Sequence, residues 1–203
     1  MKLYKYKPLN NLWHVLDIVL NKRLYCAPWR DLNDPLEGRY EIYLGERDSD
    51  GGCAMSSFIE SARNKFRISS LSANATNFLL WSHYADGHKG VAIEIEIPDG
   101  HPDLTEVAYS PFSSIFRNED DFKDDMRHIF NGKTEEWSYE EEYRIIQKQD
   151  YFYLPTKPLR LLLGPIVDAS REDLLREALS ARIEIVRTKL DRTQGTISIV
   201  TPR

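Results

Sequence analysis

The stretch VAIEIEI, residues 91–97, carries the clearest alternating pattern in the chain. Its side chains repeat with a period of two, which predicts a β-strand because successive residues of a strand point to opposite faces of a sheet. Further strand patterns lie on both sides of it, at MKLYKYKP (1–8), FRISSLSAN (66–74), EYRIIQK (142–148) and PLRLLLGPIV (158–167). The chain is therefore rich in short strands.

Helical patterns are fewer. Apolar residues between Leu12 and Leu20 follow the spacing of one helical face, and residues 55–65 and 170–183 are further helix candidates. DSDGGCAMSS, residues 48–57, is predicted as a loop because it is dense in glycine and aspartate. Many short strands with a few peripheral helices predict an α+β fold with a mostly antiparallel sheet, in a single domain over residues 1–203.

Composition limits the classes of function. With 27 basic against 32 acidic residues, the chain is unsuited to an extensive surface that coats nucleic acid. Two cysteines, Cys26 and Cys53, are too few for a zinc motif or a disulfide framework. The N-terminus lacks the apolar run of a signal peptide, and no segment is apolar over the length of a bilayer. We expect a cytoplasmic protein without membrane contact.

Two polar clusters each allow a structural and a functional interpretation. Asn33, Asp34 and Glu37 lie in LNDPLEG, residues 32–38, where Asn and Asp before Pro can serve a turn alone. Ser70 and Ser72 share one face of a predicted strand. Their small hydroxyl groups leave room for a ligand, but serines are also common on edge strands without any function.

The segment LWSHYADGHKG, residues 80–90, is a third cluster. His83 and His88 are five residues apart, about 140° around an ideal helix, so they do not form a metal-ligand pair. Trp81 and Tyr84 lie on neighbouring helical positions and can either stack on a planar ligand or fill the core.

The fourth cluster is WSYEEEYRII, residues 137–146. If a strand begins at Glu142, then Glu140, Glu142 and Arg144 share one face. Two carboxylates this close raise the pKa of one of them unless a cation holds them, and the arginine is placed to do so. The alternative is an exposed acidic loop, against which Trp137 argues because its ring would pack the loop down.

Together these motifs resemble a known family. LYKYKPL, LNDPLEG, SLS, LWSHYADGHKGVAIEI and the pattern K-x-x-x-W-x-Y-E-x-E-Y-R from Lys133 to Arg144 are similar, in this order, to the bacterial domain-of-unknown-function family two-nine-seven-one. The resemblance extends from Leu3 to about Gly164. It implies no activity by itself.

A more distant resemblance, to the ADP-ribosyltransferase superfamily, does imply one. Its motif order is a basic first strand, a Ser-x-Ser strand and a late Glu-x-Glu, matched here by Lys5, by Ser70 and Ser72, and by Glu140 and Glu142. In that superfamily the first-strand residue, an arginine or histidine, holds NAD, the serine strand supports the nicotinamide ribose, and the last glutamate stabilises an oxocarbenium-like transition state. Lysine at the first position departs from that pattern.

This resemblance implies a role for each candidate residue. Trp81 or Tyr6 would stack on nicotinamide, and Arg144 or Lys133 would meet phosphate. The catalytic residues would be Glu142 and Glu140. The residues that bind NAD would be Lys5, Tyr6, Ser70, Ser72, Trp81, His83 and Arg144. Further site residues would be Asn33, Asp34, Glu37, Tyr84, His88, Lys133 and Trp137. By analogy with other small bacterial domains, the expected context is a toxin or a phage-defence effector.

Two other functions stay open. In a metal-dependent nuclease or phosphoesterase, Asp34, Glu37, Glu140 and Glu142 would hold magnesium and Lys133 would orient the nucleophile. In a non-catalytic module, LNDPLEG and LWSHYADGHKG would form an aromatic pocket for a nucleotide or a peptide. The sequence does not name the acceptor, a protein or nucleic-acid partner, or the oligomeric state.

Overall fold

The computed structural model describes residues 1–34, 40–42, 49–110, 114–116 and 129–200, with side chains described for 1–34, 56–110 and 129–200. Fifteen strands occur in these residues: β1 (Lys2–Lys7), β2 (Arg23–Tyr25), β3 (Ala27–Pro28), β4 (Tyr40–Ile42), β5 (Arg67–Ser72), β6 (Val91–Glu96), β7 (Leu104–Glu106), β8 (Ala108–Tyr109), β9 (Ser114–Phe116), β10 (Gly132–Lys133), β11 (Glu142–Gln147), β12 (Tyr151–Tyr153), β13 (Arg160–Leu163), β14 (Glu184–Asp191) and β15 (Thr196–Ile199). The helices are α1 (Leu12–Asn21), α2 (Ser49–Arg63), α3 (Phe78–Tyr84), α4 (Ala169–Leu179) and two 3₁₀ helices, Trp29–Asp31 and Glu135–Glu140.

Most of these strands join one large sheet, in the order β15-β14-β13-β6-β1-β5-β11-β7, with β3 also paired to β5. Neighbouring strands run antiparallel except β13 and β14, which are parallel. The predicted α+β fold with a mostly antiparallel sheet is confirmed. Three two-stranded pairs, β10-β8, β12-β2 and β4-β9, lie outside this sheet.

The VAIEIEI stretch forms β6, near the middle of the sheet. It pairs with β1 over six residues and with β13 on its other side. Of its two glutamates, Glu96 is exposed but Glu94 is fully buried. Lys2 and Arg160 neutralise the buried carboxylate from the two neighbouring strands, at 2.9 and 2.5 Å. These ion pairs join three strands across the sheet.

Helices cover both faces of the sheet. Helices α1 and α4 pack on one face, where α1 contributes Val15, Ile18 and Val19 to the core, as its sequence pattern predicts. Helix α3 packs on the other face through Leu80 and Trp81. Among the described residues, no helix is long and apolar enough to cross a membrane.

The loop predicted for residues 48–57 is wrong, since α2 begins at Ser49 and runs through the two glycines of that stretch. Helix α2 places Ile59, which is fully buried, in a third apolar cluster with Ile68, Phe130 and Ile146. This packing outweighs the local turn preference of glycine and aspartate, because tertiary burial routinely overrides intrinsic propensity.

A break between β1 and β5 prepares the site. Strand β1 pairs with β6 along its whole length but with β5 only at Tyr4 and Ser72. The two strands therefore separate beyond this point. Lys5 bridges the gap, since its Nζ donates to the Ser70 carbonyl oxygen at 2.7 Å and to Ser69 Oγ at 3.2 Å.

We predict that Gly164→Ala lowers the free energy of unfolding by about 1–3 kcal/mol, the usual cost of overpacking. A Cβ at Gly164 would overlap the carbonyl oxygen of His88, a backbone atom that cannot turn away. Urea unfolding followed by circular dichroism measures the change. Gly132→Ala is the matched control, because a Cβ there meets no heavy atom within 4 Å. Equal unfolding midpoints for the two variants would contradict the close packing at Gly164.

Candidate functional site

A cavity of about 530 Å³ opens where β1 and β5 separate. Its wall consists of residues 4–8 of the β1 end, residues 31–33, residues 70–72 of β5, and the side chains around α3 and β11. Ten residues predicted from sequence as site residues line it: Lys5, Tyr6, Asn33, Ser70, Ser72, His83, Tyr84, Lys133, Glu140 and Glu142. Residues more than 130 positions apart in the chain thus meet at one place.

The backbone around the glutamates explains why two of the three face the cavity. Glu140 ends the 3₁₀ helix, Glu141 has a left-handed conformation with φ 44°, and Glu142 begins β11. This single left-handed residue turns Glu141 outward, where it is exposed, while Glu140 and Glu142 are buried. The predicted strand start at Glu142 is confirmed. Ser72 holds the turn, since its Oγ donates to the Glu140 carbonyl oxygen at 2.6 Å.

Four charged side chains form a buried network beside the cavity. Lys133 Nζ lies 2.6 Å from Glu140 Oε2 and 3.3 Å from Glu142 Oε2, so one ammonium group bridges both carboxylates. Arg144 binds the two oxygens of Glu142 with its Nε and a terminal nitrogen, at 2.8 and 3.0 Å, and donates to the Phe130 carbonyl oxygen at 2.7 Å. The net charge of the network is zero when both carboxylates and both cations are ionised.

The pKa values of the two glutamates are shifted in opposite directions. Burial alone would raise the pKa of Glu142, but the guanidinium of Arg144 and the charge of Lys133 outweigh it and hold this pKa at about 2. Burial raises the pKa of Glu140, against the opposing effects of Lys133 and of a hydrogen bond from Tyr84. Glu142 is therefore ionised at neutral pH, and Glu140 is the stronger base of the pair.

Tyr84 connects Glu140 to the far wall of the cavity. Its hydroxyl donates to Glu140 Oε1 at 2.5 Å and accepts from Asn33 Nδ2 at 2.7 Å. Burial, followed by the adjacent carboxylate, raises the pKa of Tyr84, so the phenol keeps its proton. Asn33 of LNDPLEG and Tyr84 of LWSHYADGHKG are thus joined to Glu140 through this chain of hydrogen bonds.

The pKa of Lys5, which lines the cavity, is shifted by its surroundings. Desolvation, followed by the charge of Lys7, lowers the pKa of Lys5 to about 7, while the charge of Glu142 opposes the shift. Ser70, to whose carbonyl oxygen Lys5 donates, also forms a hydrogen bond that helps to lower the pKa of Glu142. The basic first strand, the serine strand and the glutamates are thus in mutual contact.

Tyr6 and Trp81 occupy different depths. Tyr6 lines the cavity and its hydroxyl donates to the Asn74 carbonyl oxygen at 2.7 Å. Trp81 is fully buried beneath it, with ring centroids 5.2 Å apart and with its Nε1 donating to the Ala75 carbonyl oxygen. Trp81 therefore supports the wall as a core residue and has no exposed ring surface for stacking on nicotinamide.

An aromatic rim lies next to the glutamates. His83 is exposed at the cavity edge, and its Nδ1 is 3.1 Å from the Tyr139 hydroxyl. Trp137 is half-buried, with its ring 4.4 Å from Lys133 Nζ, and packs near Tyr139. As expected, Trp137 holds down the segment before the glutamates, although it does not itself line the cavity.

Three predicted site residues lie behind the wall and one lies outside the described residues. Arg144 is fully buried and bound to Glu142, so it is not free to meet a phosphate. Asp34 and His88 are buried away from the cavity lining, and His88 packs on the ring of Phe78 at 4.4 Å. Glu37 falls in the part of the chain that the structure does not describe.

Sequence reasoning missed several wall residues: Tyr4, Lys7, Asp31 and Asp86 line the cavity, and Tyr109 accepts a hydrogen bond from the backbone N–H of Glu142. The alternation of LYKYK would have placed Lys7 beside Lys5 on one strand face. The other positions have no local signal, because only long-range pairing brings them to the site.

The residues do not form an evident metal site. Within the described ranges, no group of three or more His, Cys, Asp or Glu side chains could hold a metal ion. Lys133 already stands between the carboxylates of Glu140 and Glu142. A divalent cation at this place would have to displace the ammonium group.

Comparison with known proteins gives one match. Residues 80–145 match the family model described as "Protein of unknown function (DUF2971)". This match supports the predicted family resemblance. The DUF2971 segment is about a third of the chain and contains Tyr84, Lys133, Glu140, Glu142 and Arg144, the whole charged network. No curated protein and no solved structure matched the chain.

We predict that Glu142 contributes about 3 kcal/mol to the free energy of unfolding near neutral pH, from a pKa near 2 in the folded protein against an ordinary value of 4.5. Because the folded pKa is depressed, this contribution is complete above about pH 4.5 and is lost as the pH falls toward 2. Urea unfolding between pH 7 and pH 2.5 measures it.

The control for this titration is Glu141→Gln, which removes the exposed neighbour and should leave the pH dependence unchanged. Glu142→Gln should flatten the curve in this range. If that variant unfolds because Arg144 is left unpaired, the double variant Glu142→Gln with Arg144→Met removes both charges and allows the same measurement. An unchanged slope in a folded variant would show that Glu142 is not held as a buried anion.

Proposed function

We propose that the protein transfers ADP-ribose from NAD to an acceptor, as an enzyme similar to the ADP-ribosyltransferases. The proposal is carried by one observation: β1, β5 and β11, which bear the three motifs, are consecutive strands of one sheet. Lys5, Ser70 and Glu142 come from these three strands and line one cavity. Motif order along a sequence does not by itself require this adjacency.

The cavity suits a nucleotide-type ligand in size and chemistry. Its volume of about 530 Å³ is within the usual range for small-molecule sites, about 300–1,000 Å³. The carboxylates can accept hydrogen bonds from sugar hydroxyls, and the Tyr84 hydroxyl can also exchange hydrogen bonds with them. The ring of Tyr6 lies in the wall. Tyr6, 8 % exposed, is assigned the stacking role because it lines the cavity, whereas Trp81 is fully buried beneath it.

Glu142 is assigned the electrostatic role. When the bond between the nicotinamide nitrogen and ribose C1′ breaks, its electron pair leaves with nicotinamide and positive charge develops at C1′. A fixed anion in a site of low polarity stabilises such charge without reorganising at the moment of reaction. Glu142 meets this requirement, since its pKa of about 2 keeps it ionised and Arg144 fixes its orientation.

Glu140 is assigned the general base. The acceptor forms a new bond to C1′ with a lone pair and must lose a proton, which a carboxylate with a raised pKa accepts more readily than an ordinary one. The pKa of Glu140 is raised by burial, whereas the sequence alone attributed the rise to its charged neighbour. Lys133 and Tyr84 each donate a hydrogen bond to Glu140 and would adjust to its protonation.

We predict that the purified protein releases nicotinamide from NAD, with water as the acceptor that forms the new bond to C1′, and that Glu142→Gln lowers the rate by about 10²–10³-fold, the usual cost of losing one group that stabilises the transition state. Chromatography of nicotinamide measures the rate. Glu140→Gln should reduce transfer and remove the rise in rate that accompanies deprotonation of Glu140 as the pH increases.

Glu141→Gln is the matched control, because Glu141 belongs to the same triplet but is exposed. Circular dichroism confirms that each variant is folded. Calorimetric titration of NAD separates the classes of function. Binding without turnover would indicate a module, activity abolished by a chelator would indicate the metal-dependent alternative, and neither binding nor turnover by the wild type would refute the proposal.

The proposed cellular context is a bacterial toxin or phage-defence effector acting in the cytoplasm. We expect induced expression of the wild type in bacteria to arrest growth, because uncontrolled transfer consumes NAD and modifies cellular targets. Glu142→Gln should restore growth at equal protein level, whereas Glu141→Gln should not. Normal growth on wild-type expression would count against this context without affecting the measurement on purified protein.

A further inference from the structure

The cavity wall carries charged side chains in several places, with Asp31 and Asp86 among them. The carboxylates of Glu140 and Glu142 lie beside β11, where Lys133 and Arg144 already neutralise them. The end of β1 contributes residues 4–8 to the wall, with two further lysines among them. A ligand that spans the cavity therefore meets a neutralised pair of carboxylates beside β11 and two lysines at the end of β1.

Lys7 is the unusual member of this set. It is half-buried and lines the cavity, yet within the described residues it has neither a hydrogen-bond acceptor nor a carboxylate within 4 Å. By contrast, Lys5 donates to two oxygens of β5, and Lys133 is held by two glutamates. A lysine ammonium on a cavity wall, without a counter-ion among the described residues, is available to an anion that enters the cavity.

Lys5 and Lys7 can act on one anion. They are alternate residues of β1 and so share a strand face, about 7 Å apart along the strand. Their charges interact, since the charge of Lys7 is the second cause of the lowered pKa of Lys5. Lys5 uses its ammonium group for two hydrogen bonds and keeps a third N–H. The pKa values of Lys5 and Lys7 are both lowered chiefly by desolvation, and an anion bound between them would raise both values.

We propose that Lys7, together with Lys5, is a binding subsite for the phosphate groups of the ligand. A lysine ammonium is a compact point charge suited to phosphate, and two of them about 7 Å apart can contact two oxygens of one diphosphate. The inference rests on the proposed function for the identity of the whole ligand. It fixes the orientation of that ligand, with its phosphates at the end of β1 and its sugar at Glu140 and Glu142.

The subsite also explains a departure from the related motif. Arginine at position 5 would present a planar fork to one phosphate, whereas lysine supplies a single charge. A second lysine two residues later supplies another charge on the same face. The pair would thus replace the two-point contact that one arginine makes.

Calorimetric titration with inorganic pyrophosphate at low ionic strength tests the subsite without assuming NAD. We expect the wild type to bind and Lys7→Gln to bind about tenfold more weakly, the loss that corresponds to one charge-assisted contact. Lys157→Gln is the control, because this exposed lysine gives the same change in net charge away from the cavity. Lys7→Arg should keep most of the affinity.

Stability distinguishes a binding lysine from a structural one. Lys7→Met keeps the apolar stem and removes a charge that has no counter-ion among the described residues, so its thermal midpoint should equal or exceed that of the wild type. It also serves as the second variant for the titration if Lys7→Gln does not fold. A lower midpoint with unchanged pyrophosphate affinity would mean that Lys7 is structural and would overturn the proposal.

Measurements with NAD separate the two proposals. If NAD is turned over, Lys7→Gln should raise KM about tenfold with little change in kcat, because the contact stabilises ground state and transition state alike. Turnover with an unchanged KM would overturn the subsite and leave the proposed function standing. If the protein binds pyrophosphate through Lys7 but neither binds nor turns over NAD, the subsite is supported and the proposed function is refuted.

Discussion

The buried guanidinium of Arg144 is the constraint on which the site depends. It is fully buried, and a charge in that position is tolerated only with close counter-ions and satisfied N–H groups. Glu142 supplies both carboxylate oxygens from two residues earlier on the same strand face, and the Phe130 carbonyl oxygen takes a further N–H. Arginine thus determines where Glu142 points, and Lys133 then fits between it and Glu140.

The position of this network in the sheet accounts for its electrostatics. The polar row of Ser70, Ser72, Glu142 and Arg144 shares one sheet face with two apolar clusters, one around Trp81 and one around Phe130. The side chains of Glu140, Glu142 and Arg144 are buried there, so the charges interact strongly and the pKa values of the two glutamates move apart. The same residues on an exposed edge strand would have ordinary acidities.

Much of this arrangement could be predicted from sequence, and the failures have physical causes. The period of two in VAIEIEI and the strand start at Glu142 are local properties, so both were predictable. The burial of Trp81 was not, because a ring at helical spacing can face either core or ligand. Lys7 and Asp31 were missed because their place beside the cavity depends on where β1 and β5 separate. No local pattern encodes that point.

The pairing of β1 determines how much of the chain must be synthesised before the cavity can form. The first strand is synthesised first, but its partners in β6 lie as far away as Glu96, opposite Lys2, and Lys133 and Arg144 follow later still. Such non-local pairing slows folding because a long loop must close before any contact forms. A nascent chain that has not yet reached Arg144 therefore has no complete cavity, and any chemistry performed there begins only after β11 has been made.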